Sequence, residues 1–146
     1  MSHNLNKSLI RELANKYHTP LYIFSEKEIR NQCQKLKSAI SYENKQIRYA
    51  CKALTLQAIL KIVRSEGIYI DAVSINEVKR AQRAGYNADE ILYTGEGASQ
   101  LAFEELLGKG ILINCSSIDQ IRLIGKIKKG SSCSIRINPG EGHGAT

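Results

Sequence analysis

The chain has no tryptophan, one methionine, two phenylalanines and only two prolines. So few aromatic rings, none interleaved with basic residues, leave no stacking platform for single-stranded nucleic acid. The four cysteines, Cys33, Cys51, Cys115 and Cys133, are widely spaced with no CxxC pair. That spacing argues against a zinc site or disulfide framework and predicts small buried thiols in a reducing compartment. No metal site is expected. No stretch approaches the ~20 apolar residues of a membrane span, and residues 1–7 carry no apolar leader segment. The expected setting is the cytoplasm, away from membranes. Acidic residues are outnumbered 14 to 21, for a net charge of +7. The excess is spread along the chain. Its one cluster, Lys126-Ile127-Lys128-Lys129, reads as a helix C-terminus, where cations complement the dipole, rather than as a nucleic-acid patch.

What is present is a regular alternation. Hydrophobic residues make up 42% and charged residues 24%, the balance of a globular domain with a sizeable core. Residues 1–20 read as an N-terminal helix and lead-in, and residues 21–146 as the domain proper. Leu21-Tyr22-Ile23-Phe24 is expected to form a short strand. Ser25 and Glu28 open a helix to about residue 40 in a capping-box pattern. Strands are then expected at 47–51, 69–73, 91–93, 111–113 and 133–137. Helices fall between them at about 55–66, 74–85, 99–107 and 116–128. Leu56, Ile59, Leu60 and Val63 show the helical spacing, and Gly67 the stop.

Strands recur about every twenty residues and are apolar, as buried parallel strands are. Alternation of this kind implies an α/β fold with right-handed crossovers. The first strand-to-helix turn, Lys52-Ala53-Leu54-Thr55, has no glycine. The dinucleotide fingerprint of a doubly wound sheet is thus missing, which favours a partial (β/α)8 barrel of about five strands, not yet closed.

In such folds chemistry sits at the C-terminal ends of strands. Those positions hold Lys52, Asp71, Ser74, Thr94-Gly95-Glu96-Gly97, Asn114, Arg136, Asn138 and the loop Gly140-Glu141-Gly142-His143-Gly144. A partly desolvated lysine amine is a nucleophile toward aldehydes, whereas a surface lysine at a strand end merely snorkels to water. Asp71 has two readings, a partner for Lys52 or Arg136, or a strand-end carboxylate bonded to backbone amides. Arg136 either holds an anionic group or neutralises Asp71. Glu77 is explained by a capping box with Ser74. His143 is either a ligand contact or an exposed loop residue.

Five segments in order resemble the diaminopimelate decarboxylase family, pyridoxal-phosphate enzymes with an alanine-racemase-type barrel. They are Thr19-Pro20-Leu21-Tyr22-Ile23-Phe24, Tyr49-Ala50-Cys51-Lys52-Ala53, Ile70-Asp71-Ala72-Val73-Ser74-Ile75-Asn76-Glu77, Ile91-Leu92-Tyr93-Thr94-Gly95 and Arg136-Ile137-Asn138-Pro139-Gly140. Gly142-His143-Gly144 matches one bacterial branch. The resemblance spans residues 17–146. It implies that Lys52 forms the Schiff base with pyridoxal 5'-phosphate in the decarboxylation of meso-2,6-diaminopimelate to L-lysine. By the same resemblance Asp71, Arg136 and Ser74 lie near the cofactor, and Glu77, Asn138 and His143 near a substrate or cofactor loop. Two departures stand out. Ala53-Leu54-Thr55-Leu56 replaces the usual "AxSN" continuation, and Ile75-Asn76 replaces a glycine-bearing pair.

Family members are homodimers and much longer. The resemblance places the histidine that stacks on the cofactor, the phosphate loop, the acidic partner of the pyridine nitrogen and a C-terminal β-domain in parts this sequence lacks. The chain is therefore expected to be inactive alone and to self-associate or aggregate through open sheet edges. Other expectations are a non-catalytic pyridoxal-phosphate-binding barrel, an inactive remnant, or a decarboxylase of ornithine, arginine or carboxynorspermidine.

Overall fold

A computed structural model describes residues 6–140. Among them are six α-helices and five short strands: α1 (Lys7–Tyr17), α2 (Glu26–Ser38), β1 (Arg48–Ala50), α3 (Gln57–Ser65), β2 (Tyr69–Ala72), α4 (Ile75–Arg83), β3 (Ile91–Tyr93), α5 (Gln100–Gly108), β4 (Leu112–Cys115), α6 (Ile118–Ile127) and β5 (Ser134–Ile135). The helix starts follow the sequence signals. Ser25, Ser74, Ser99 and Ser117 each precede a helix, and each hydroxyl accepts the backbone N–H three residues on. Those four hydroxyls satisfy donors that a helix's first turn leaves without partners. Gly67 and Gly85 follow α3 and α4 with φ of 72° and 101°, the left-handed conformation that ends a helix at least steric cost.

The sheet is wholly parallel in the order β1-β2-β3-β4-β5. Each strand pairs with the next in sequence, so right-handed crossovers put every connecting helix on the same face. A doubly wound sheet reverses direction partway; this one does not. The fold is the expected open run of barrel strands.

The two faces of the sheet differ, contrary to the expectation of strands apolar throughout. Ile70, Ala72, Ile91, Tyr93, Ile113 and Cys115 are buried under the helices, against Leu60, Val78, Phe103, Leu106 and Ile124. The opposite face carries Arg48, Asp71, Leu92, Asn114 and Ser134, all half-buried. Period-two alternation sends these residues to the barrel's inner side. Of the four cysteines, all free thiols, Cys33, Cys51 and Cys115 are buried as expected and Cys133 is half-buried.

Leu21 to Phe24 does not form the expected strand. No strand among the described residues pairs with it, and Tyr22 is 88% exposed. An extended segment with no ladder to join has no reason to register as a strand, whatever its propensity. The following helix does dock. Arg30 of α2 reaches Glu66 at 2.6 Å and Ser65 at 2.8 Å, at the end of α3. Cys33 joins Ile59, Val63 and Ile68 in a second small core. No helix among the described residues is long and apolar enough to cross a membrane. None of their His, Cys, Asp and Glu side chains cluster to hold a metal.

Candidate functional site

The chain after β1 tightens into a single 3-10 turn, Cys51–Ala53. Cys51 points into the core and is fully buried, and Lys52 is exposed beside it. Of the two readings of Lys52, its exposure is that of a solvated lysine at a strand end rather than of a desolvated amine. Its amine makes no hydrogen bond or ion pair among the described residues. The same turn sets the chemistry of its neighbour: burial, reinforced by the charge of Glu77, pushes the Cys51 thiol up to about 11.

Asp71 lies on β2 opposite Ala50 and Leu92. Neither cation expected for it arrives, and backbone amides do not hold it either. Its Oδ1 accepts a hydrogen bond of 2.6 Å from the hydroxyl of Thr94, just past β3. Thr94 in turn accepts from Asn114 Nδ2 at 3.5 Å, and Asn114 Oδ1 accepts from the Ser134 hydroxyl at 2.9 Å. Four polar side chains from four successive strands therefore form one row across the inner face. Arg48, on the same face, stacks over Tyr69 at 5.3 Å and donates to the carbonyls of Ile70 and Glu90. Burial lowers its proton affinity, and the negative charge of Asp71 opposes that effect.

Arg136 does not neutralise Asp71. Its backbone N–H continues the β4 ladder by donating to Cys115 at 2.7 Å, and its guanidinium meets Glu96 at 3.3 Å. Both side chains are solvent-exposed, so the pair is worth little in water and is easily exchanged for an anionic ligand. Ser74 and Glu77 serve the start of α4. The Ser74 hydroxyl accepts from Glu77 N, and the Glu77 carboxylate reaches back to Val73 N at 2.9 Å, one residue beyond a standard capping box. Asn138 closes a turn by accepting from Gly140 N. His143 lies outside the described residues.

Sequence reasoning missed Gln120. It is 8% exposed on α6 and anchors two loops at once. Its Oε1 accepts from Ser116 N at 2.8 Å, and its Nε2 donates to the carbonyls of Gly95 and Glu96 at 2.9 and 3.3 Å. Its position three residues after Ser117 signalled a cap; nothing in the linear order signalled the reach to Gly95. That loop is tight because the Tyr93 ring occupies the space a side chain at Gly95 would need. The apolar groove of about 420 Å³ between α2, α3 and β1 takes in none of the candidate residues.

This arrangement fits an aldehyde cofactor in part: an unengaged amine ends the first strand, and a carboxylate with polar neighbours stands on the adjoining strand. The chain belongs to the pyridoxal-dependent decarboxylases, whose pyridoxal-binding-domain model matches residues 26–146. Its particular relatives are diaminopimelate decarboxylases. It is 41% identical over 137 residues to that of Methanothermobacter thermautotrophicus, covering 90% of this chain and 32% of the relative. It is 32% identical to that of Escherichia coli, covering 94% and 32%. A crystal structure of diaminopimelate decarboxylase superposes with a TM-score of 0.89 at 30% identity, over 99% of this chain and 35% of the other. One from Helicobacter pylori, complexed with L-lysine, superposes at 0.76 and 29% identity, over 81% and 30%. The chain spans about a third of the length of these relatives.

Proposed function

We propose that this chain is the Lys52-bearing part of a diaminopimelate decarboxylase, with Lys52 the covalent anchor of pyridoxal phosphate. The observation that carries the reading is the exposed, unengaged amine of Lys52 at the C-terminal end of the first barrel strand, in a chain that belongs to a pyridoxal-binding family. Bound there, the cofactor would supply an electron sink for the pair of electrons left when carbon dioxide departs. The chain's own part is to present the amine and to set a carboxylate, Asp71, two strand positions away on the neighbouring strand. Arg136, whose guanidinium pairs among the described residues only with the exposed Glu96, suits an anionic group of the ligand. Substrate choice rests on the relatives, which are named for diaminopimelate, and on the lysine complex of the Helicobacter pylori enzyme. The resemblance supports a cytoplasmic homodimer for the whole enzyme.

The test is direct. The purified chain, mixed with pyridoxal phosphate, is expected to develop visible absorbance that Lys52→Ala abolishes. Borohydride reduction and peptide mapping should then place the adduct on Lys52. An adduct spread over other lysines, or none, overturns the assignment. Carbon dioxide release from meso-diaminopimelate, measured on the chain alone and on a chain extended to the relatives' length, separates anchoring from turnover.

A further inference from the structure

We infer that Thr94 is a positioning residue that acts through Asp71. Its hydroxyl commits one oxygen of that carboxylate and leaves the other, Oδ2, for a hydrogen-bond donor or cation of the ligand. The inference rests on the cofactor reading above only in taking pyridoxal phosphate as its reporter.

The direction of the hydrogen bonds carries the argument. A threonine hydroxyl has one proton to give. Thr94 gives it to Asp71 Oδ1 at 2.6 Å. The Ser134 hydroxyl donates to Asn114 Oδ1 at 2.9 Å, which turns the amide so that its NH2 group faces Thr94. Ser134, Asn114 and Thr94 thus each donate toward β2, and the row ends on the one group that only accepts. The Thr94 backbone is fixed as well, its N–H donating to Ala72 at 2.8 Å as an extension of β3. The Asp71 carboxylate has no other hydrogen-bond partner among the described residues. A carboxylate held by one oxygen on a rigid strand end is oriented without being consumed.

Thr94→Val keeps the branched shape and removes the hydroxyl, both as donor to Asp71 and as acceptor from Asn114; Thr94→Ser keeps both roles. Pyridoxal phosphate binding to the full chain is measured by absorbance titration and by the yield of borohydride-trapped adduct. Thr94→Val should weaken binding about tenfold, the usual scale for a hydrogen bond to a charged group, and Thr94→Ser by no more than about twofold. In an Asp71→Asn background, Thr94→Val should have no further effect. Equal losses in both backgrounds, or no loss in the first, overturn the inference. Thermal unfolding without ligand of the parent, Thr94→Val, Asp71→Asn and the double variant gives a second reading. Non-additive midpoints support the Thr94–Asp71 linkage, and additive ones overturn it. If the unsubstituted chain takes no cofactor, the proposed function fails, and the unfolding cycle alone decides the linkage. Thr94→Ala replaces Thr94→Val if the latter does not fold.

Discussion

Cys51 and Lys52 are adjacent, yet one is sealed in the core and the other open to solvent. With its thiol near 11 rather than the ordinary 9.0, Cys51 carries about a hundredfold less thiolate at neutral pH than an exposed cysteine. Iodoacetamide at pH 7.5 should therefore leave Cys51 unmodified in the folded chain and label it in urea, as mass spectrometry of the peptide would show. Labelling without denaturant would mean that the turn bearing Lys52 opens readily. Lys52 and Asp71 stood out as candidates in the sequence because each ends or interrupts an apolar strand, although strand position alone left each a structural reading and only the motifs around them favoured a role. The partner of Asp71 was not legible. Thr94 is 23 positions away, and only the register of β2 with β3 brings the two side chains together.

At the scale of elements, serine caps and glycine stops were readable because both act within four residues of themselves. Leu21 to Phe24 was misread because a strand is a property of two segments and its partner is not among its neighbours. The clamp between α2 and α3 was equally hidden. Hydrogen bonds from Arg30 and then Gln34 hold the Glu66 carboxyl below its ordinary value of 4.5. A depressed carboxylate adds stability above that value and loses it as pH falls through its lowered one. Glu66→Gln should accordingly lower the thermal midpoint at neutral pH, with the difference from the parent shrinking below pH 4.5. A difference independent of pH would show that charge is not what Glu66 contributes. Gln120→Ala should be costlier, because Gly95, Glu96 and Ser116 all lose a partner. A loss of about 1–3 kcal/mol in urea unfolding is expected. Gln120→Glu keeps the acceptor but sets a carboxylate against two carbonyls, so its stability should improve as the medium is acidified.

Across the molecule, one sheet and one helical layer share a main core that contains Phe103, which is fully buried and meets the Tyr93 ring edge-on at a centroid distance of 6.5 Å. Phe103→Ala should cost about 3–5 kcal/mol by chemical denaturation, a cavity the flanking Leu106 and Val78 cannot fill. The order of elements was legible because the repeat is regular; the asymmetry of the two sheet faces was not, since short strands show too few residues to display a period. The consecutive strand order also bears on how the chain is made. Every strand after β1 finds its partner about twenty residues back, and among the described residues no pairing waits for a distant segment. Local pairings of this kind carry a small loop-closure cost. A nascent chain can therefore add one strand and one helix at a time as it leaves the ribosome, laying down its sheet at the pace of translation.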